Sequence, residues 1–380
     1  MSTPAPPPED ADASLVEAPS VTLEELGWDD AWAAVFAPHA AAGLTPARVA
    51  IEFNHLFRLY TGTGELQGQH AGRLLHAAEG RRDLAAVGDW VAIRTRPQER
   101  TATIEAILPR RTHFSRKAAG DLTEQQVVAA NIDVVFLVMG LDRDYNPRRL
   151  ERYLMLARES GATPHVLLSK ADLCADLALP IAEIGAIAAG VALHAVSVRD
   201  GRGLAAVREA IGPGQTGALL GSSGAGKSTL INAWLGEDRL ATRAVRASDS
   251  RGRHTTRHRQ LVPLPGGGLL IDTPGMRELQ LWAAAETADA TATAFDDIDA
   301  LAAACHFTNC RHLSEPRCAV RAAVEQGALD AARLESFRKL QEEARSLAAR
   351  QDVRERIQER AQAKTVARSL RQMYRARDRS

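Results

Sequence analysis

The sequence predicts a multidomain α/β protein, with a small N-terminal β-barrel, a parallel α/β domain and a C-terminal helical domain built around a metal. Three observations carry this reading. Five short β-like runs fall between residues 48 and 117, near-continuously apolar runs alternate with amphipathic segments from Ile132 onward, and three of the four cysteines crowd between residues 305 and 318. The length of 380 residues suits roughly two or three domains of ordinary size. Hydrophobic residues at 45% and charged residues at 25% exclude a disordered or fibrous chain.

Residues 1–47 read as an acidic Ala/Pro-rich leader, with a short helix expected around Leu23 to Phe36. No Lys or Arg precedes Arg48. The first thirty residues have neither the basic start nor the apolar core of a signal peptide, so a cytoplasmic protein is expected. Residues 48–117 contain the runs RVAIEF, LFRLYT, GRLLHA, VGDWVAI and ATIEAIL, separated by Gly, Asn, Asp and Pro. Five runs of this length predict an OB-like barrel, a scaffold used both for binding oligonucleotides and for purely structural barrels. Residues 118–290 form the α/β domain, in which DVVFLVMGL, PHVLLS, ALLG and GGLLID read as buried parallel strands and PRRLERYLMLARESG as a helix. The apolar stretch from Val134 to Leu141 is far short of the roughly 20 residues that cross a bilayer, so no membrane partner is expected. Residues 291–345 hold the cysteines, and 346–380 form a basic helical extension.

Within the α/β domain, Gly221, Ser222, Ser223, Gly224, Ala225, Gly226, Lys227 and Ser228 satisfy G-x-x-x-x-G-K-[ST], followed by Thr229. A strand precedes this run and a helical segment follows it, the context in which backbone N–H groups cradle phosphates. Lys227 then reaches the β/γ oxygens and the Ser228 hydroxyl ligates Mg²⁺. Asp272, Thr273, Pro274 and Gly275 follow a second buried strand. Asp272 there suits the Mg²⁺ shell and the Gly275 N–H the γ-phosphate, although Asp-x-Pro-Gly also favours an ordinary turn. Between them lies SRGRHTTRH, in which Thr255 or Thr256 completes the metal shell if the loop is a nucleotide switch rather than a solvated basic loop.

Ser169, Lys170, Ala171 and Asp172 resemble the guanine-reading [NT]-K-x-D element. A carboxylate accepts two hydrogen bonds from guanine N1–H and N2–H₂, a donor pair that adenine lacks. Ser169 stands where Asn is usual, a shorter side chain expected to lose a hydrogen bond of about 1 kcal/mol. Ser197, at the end of the next strand-like run, is expected to bring its hydroxyl or a backbone N–H near the base. The base-reading elements precede the phosphate loop, the reverse of ordinary GTPases. A circularly permuted P-loop GTPase domain accounts for that order, because a site made of loops at one end of parallel strands survives reconnection of the chain elsewhere.

Cys305, Cys310, His312 and Cys318 give C-x4-C-x-H-x5-C, a Cys₃His set suited to tetrahedral Zn²⁺, with His306 as a less favourable substitute for His312. Arg360, Lys364, Arg368, Arg371 and Arg375 recur at helical spacing and form a cationic stripe, either an RNA-backbone contact or a solvated face. Total charge argues for neither, since 47 Lys and Arg offset 47 Asp and Glu.

Together, VGDWV, FSRK, NIDVVFLVMGLD, GSSGAGKST, GRHTT, DTPG and the Cys/His run resemble the ribosome small-subunit-dependent GTPase A family (RsgA/YjeQ) over about residues 48 to 345. The resemblance implies a GTPase that uses GTP/GDP, Mg²⁺ and Zn²⁺. It also implies late action in small-subunit maturation, stimulation by that subunit and contact with its rRNA through barrel and zinc domain. A monomer is expected. Met276 follows DTPG where Ras-like enzymes have a water-orienting Gln, so slow intrinsic turnover is expected; His254 is a candidate to orient the water, with a plain surface His as the alternative. Two other readings stay open on sequence alone: a P-loop ATPase or kinase unrelated to ribosomes, and a non-catalytic assembly factor gated by nucleotide.

Overall fold

The computed structural model describes residues 21–53, 56–117, 125–236, 259–272, 295–307 and 310–342, except 332, 336 and 340. His254, Thr255, Thr256 and Gly275 lie outside these residues, as does the cationic stripe.

The barrel is closed by β1 (Thr45–Phe53), β2 (Leu56–Thr61), β3 (Gly64–His70), β4 (Trp90–Arg96) and β5 (Thr101–Ile107). Its strand order is β1-β2-β3-β5-β4, and β1 pairs back onto β4. One expected strand is corrected: GRLLHA is the helix α2 (Gly72–Ala77), and the third strand is GELQGQH. That strand escapes a hydrophobic scan because the buried position at its centre is Gly68, where an added Cβ would sit 2.5 Å from the Leu59 side chain. The core of the barrel is Ala47, Val49, Leu59, Val91, Ile93 and Ile104.

The helix before the barrel, α1, runs from Asp30 to Ala41, later than expected, because Asp29 caps it by accepting from the Trp32 N–H (2.8 Å). Trp32 and Phe36 bury against the barrel side, where Trp28 meets Trp90 edge-on at 4.7 Å. Arg48, on β1, is 2% exposed. Its guanidinium donates to the carbonyls of Gly88 (3.2 Å), Asn131 (3.0 Å) and Leu26 and to the Thr216 hydroxyl (2.8 Å), so it joins the leader, the barrel and the α/β domain. Burial lowers its pKa to about 10, against the pull of Asp133 and Asp89, which leaves it charged at neutral pH.

After a hairpin of β6 (His113–Lys117) and β7 (Gln125–Ala130), the main sheet is built from β8 (Val134–Gly140), β9 (Thr163–Ser169), β10 (Ala192–Ala195), β11 (Thr216–Gly221), β12 (Gln260–Pro263) and β13 (Leu269–Asp272). The order is β10-β9-β8-β11-β13-β12. All of these except β12 are parallel to their neighbours, as their near-continuous apolar runs predict, so the ends of β8, β9, β10, β11 and β13 share one edge. β12 is antiparallel and also pairs with β1 of the barrel at Ile51 and Gln260, so barrel and domain share hydrogen-bonded strands. Helix α3 (Pro147–Ser160) has Pro147 in its first turn, the Asn146 side chain as cap and Gly161 in the left-handed region at its end, and helices α4 (Ala178–Ile187) and α5 (Leu204–Glu209) follow it.

In the C-terminal region, helices Asp296–Ala302 and Ala319–Glu325 bring Ile298, Val320 and Ala323 into the same buried cluster as Leu150 and Leu154 of α3. Arg333 forks onto the Asp297 carboxylate (2.7 and 2.8 Å) and reaches Glu151 of α3 (2.7 Å), while its cation lies 4.9 Å from the Phe295 ring centre. Among the described residues, no helix is long and apolar enough to cross a membrane.

Candidate nucleotide and metal sites

Parallel strands place the motif loops together, since β8, β9 and β11 are in register at Gly140 with Ser169 and at Gly221 with Val138. Gly221 has no alternative residue, because a Cβ there would lie 2.4 Å from the Val138 carbonyl. The loop that follows turns into α6 (Lys227–Leu235) through Gly226 at φ +97°, so the first N–H groups of α6 face the loop. Lys227 Nζ donates to the Gly221 and Ser222 carbonyls at 2.6 Å each, which holds the ammonium over the loop. Ser228 follows in the first turn of α6.

Asp272 ends β13, beside β11. Burial pushes its carboxyl up to about 6, opposed by the charge of Lys227. A carboxylate held in so little water, next to the helix that carries Ser228, fits a divalent cation, whose charge would relieve that desolvation. Ser228 and Asp272 are thus the residues that would hold Mg²⁺.

Beside the phosphate loop, Ser169, Lys170, Asp172 and Leu173 from the β9 turn, Val196, Val198 and Arg199 after β10, and Gly226, Thr229 and Leu230 at the end of that loop and in the helix after it line one pocket of about 230 Å³. That is below the ~300–1,000 Å³ of whole-ligand clefts and suits one moiety of a ligand. The apolar walls come from Leu173, Val196, Val198 and Leu230, and the polar groups from Asp172 and Lys170. Lys170 stands at φ +58°, its ammonium donating to the Gly224 carbonyl (2.6 Å) and to Asp142 (2.6 Å). Asp172 accepts from the buried Ser197 hydroxyl (2.8 Å), with an Arg199 nitrogen 3.8 Å from its other oxygen. The short Ser169 side chain sends its hydroxyl to the phosphate loop, donating to the Ala225 carbonyl at 2.5 Å, so it bridges the β9 turn and that loop.

Sequence reasoning missed the turn after β8. Asp144 there accepts from the Ser222 hydroxyl and from Arg149 (2.6 Å), and Asp142 accepts from Lys170. The pair sits in LDRD, acidic residues at the end of a buried parallel strand, which was the available signal.

At the other site, Cys305, Cys310, His312 and Cys318 bring their ligand atoms within 4.8 Å of one another. Cys305 Sγ lies 3.9 Å from Cys318 Sγ, and His312 Nδ1 lies 3.7 and 3.4 Å from those sulfurs. A tetrahedral Zn²⁺ with bonds of about 2.3 Å to sulfur and 2.0 Å to nitrogen sets such edges near 3.8 and 3.5 Å. The donors fit that ion in chemistry and spacing. His306 instead edges onto Phe307 (4.8 Å) and stays out of the set.

A family model described as RsgA GTPase matches residues 107–282. The chain is 49% identical over 340 residues to the small ribosomal subunit biogenesis GTPase RsgA of Opitutus terrae, covering 87% of this chain and 92% of that protein. The chain belongs to the RsgA family. An RsgA relative from Xanthomonas campestris is 46% identical over 338 residues, covering 86% of this chain and 90% of that one. A second model, described as 50S ribosome-binding GTPase, matches residues 216–358. Two solved structures share the RsgA-type architecture: YjeQ from Thermotoga maritima, with TM-score 0.58 and 23% identity over 80% of this chain and 99% of that one, and YloQ, described as a circularly permuted GTPase, with TM-score 0.56 and 20% identity over 80% and 96%. At these identities the likeness is one of fold, and it accounts for a β9 turn that precedes the phosphate loop in the chain.

Proposed function

We propose that this chain hydrolyses GTP to GDP and phosphate in the maturation of the small ribosomal subunit, with turnover stimulated by that subunit and with rRNA as a contact. The observation that carries the reading is the join between base pocket and phosphate loop, through Ser169 to Ala225 and Lys170 to Gly224, which makes one continuous nucleotide cradle. In it the Asp172 carboxylate, steadied by Ser197, selects the N1–H and N2–H₂ donors of guanine. The Lys170 stem lies along the pocket wall. Lys227 and the N–H groups opening α6 meet the phosphates and neutralise charge that develops on the leaving oxygens.

Mg²⁺, held by Ser228 and Asp272, would supply further charge stabilisation at the β and γ oxygens. In this reading Thr255 or Thr256 would complete that shell, the Gly275 N–H would address the γ-phosphate, and His254 would orient the attacking water, all four lying outside the described residues. The Cys₃His set would hold Zn²⁺ in a structural role, since four protein ligands leave no open position for chemistry. The domain limits 48–117, 118–290 and 291–345 go with this reading. The chain works as a monomer in the cytoplasm.

Competition for bound fluorescent GDP tests the pocket. GTP and GDP displace the probe at concentrations at least about a hundredfold below ATP, as expected when a buried acceptor pair is left unmatched. Equal displacement by ATP would overturn the assignment of Asp172.

A further inference from the structure

We infer that Asp142 is a positioning residue for the nucleotide, setting guanine-nucleotide affinity through Lys170 without itself touching the base. The inference rests on the nucleotide reading above and adds to it a residue outside both motifs. The turn that follows β8 carries two carboxylates two positions apart, and each serves a different half of the cradle. Asp144 accepts from the Ser222 hydroxyl on the phosphate side and from the Gly140 N–H (3.2 Å), and Arg149 of α3 steadies it. Asp142 faces the base side, 2.6 Å from the Lys170 ammonium, and its second oxygen accepts from the Asp144 N–H (3.1 Å). The turn therefore spans the gap between base-reading element and phosphate loop, and its backbone fixes how far apart they stand.

Lys170 needs this support. Its backbone is held at φ +58°, a region that side-chain-bearing residues seldom occupy, and its long stem loses rotamer freedom when it lies along a pocket wall. The Gly224 carbonyl supplies one acceptor for the ammonium. A neutral carbonyl leaves most of the charge uncompensated, whereas the Asp142 carboxylate completes it with a charge-assisted bond across a site where both side chains are about 30% exposed, at 29% and 30%. Lys170 can then hold its place before the ligand arrives, so binding costs less ordering. Because this acts on the base side, the effect is the same whether or not a γ-phosphate is present. Asp172, which reads the guanine edge, is gripped separately by Ser197, so Asp142 sets affinity and leaves the choice of purine alone.

The test is a double-mutant cycle on the full chain, reading equilibrium affinity for fluorescent GDP and for a non-hydrolysable fluorescent GTP analogue. Wild type, D142N, K170M and the double variant are compared, with thermal melting as the folding check. D142N is expected to bind both nucleotides about tenfold more weakly, the loss of a partly buried charge-assisted bond, and the double variant to bind no more weakly than K170M. D142E, which keeps the charge one methylene further out, is expected to recover part of the loss and also answers the case in which D142N melts early. Affinity of D142N within twofold of wild type would overturn the inference. So would penalties that multiply in the double variant, or a loss confined to the triphosphate. Failure of wild type to bind GDP at all would instead overturn the nucleotide reading, and this inference with it.

Discussion

Replacing Arg48 by Met removes a buried fork that ties three parts of the chain together, and its cost is worked from the partners it leaves. Arg48 makes four hydrogen bonds, three to carbonyls and one to a hydroxyl. Net of water, bonds from a charged donor are each worth about 1.5 kcal/mol at the low end, or roughly 6 kcal/mol together. Against this stands the burial of the charge. Burial lowers the Arg48 pKa, a cost of the charged form that the apolar side chain no longer bears, so the net loss is smaller than that sum, on the order of 3 kcal/mol. A second count agrees: the Gly88 carbonyl keeps the Asn131 side-chain amide (3.1 Å), so the Leu26 and Asn131 carbonyls are the acceptors deprived, at about 1–3 kcal/mol each. Urea unfolding followed by tryptophan fluorescence measures this directly, because Trp28, Trp32 and Trp90 surround the guanidinium side of the barrel. Arg48→Lys keeps the charge but cannot reach all four acceptors and is expected to lose nearly as much. A destabilisation of Arg48→Met below about 0.5 kcal/mol would refute this accounting.

Three other perturbations have clear expected outcomes. Ser169→Ala strands the Ala225 carbonyl and is expected to weaken GDP binding about fivefold, the worth of one neutral hydrogen bond, in equilibrium titrations; unchanged affinity would mean that the bridge does not shape the cradle. Cys318→Ser breaks the Cys₃His set, so metal analysis should fall from about one zinc per chain to near none while GDP still binds; full zinc retention would contradict the assigned ligands. Asp29 pairs with Arg111 (2.6 and 2.7 Å) and caps α1, and the bond to Arg111 holds its carboxyl down near 2. A folded pKa below the unfolded value of about 3.9 gives stability that is present above pH 4 and lost as the pH falls towards 2. The stability gap between wild type and Asp29→Asn should therefore be present at pH 7, modest because the pair is half exposed, and close over that acidic window; a gap that widened on acidification would reverse the sign of the argument.

Local chemistry is what the sequence carries best. The phosphate loop, the Cys₃His spacing and the parallel strands are readable because each depends on residues near one another in the chain. β3 was misplaced because its central buried residue is Gly68, which carries no hydrophobic signal. Arg48 looks in sequence like an outward-facing strand charge; its burial follows from partners 22, 40, 83 and 168 residues away, which no local pattern encodes. The same holds at the nucleotide site. Ser169 is a short side chain whose partner, the Ala225 carbonyl, lies 56 residues further along the chain, so sequence alone does not show the bridge. Asp142 and Asp144 are ordinary turn acids until the sheet order sets them between two loops. Circular permutation is the reverse case, legible from motif order alone because a permuted chain keeps its motifs and changes only their sequence.

The central claim is that guanine recognition, phosphate chemistry and the ribosome meet in this chain, and phosphate release tests it most directly. GTP and ATP are supplied to the 380-residue chain with and without purified small ribosomal subunits. Slow release from GTP alone, a rise of at least about tenfold on adding subunits, and none from ATP is the predicted result. Release from GTP that is indifferent to the subunit, or turnover of ATP at a similar rate, would contradict it.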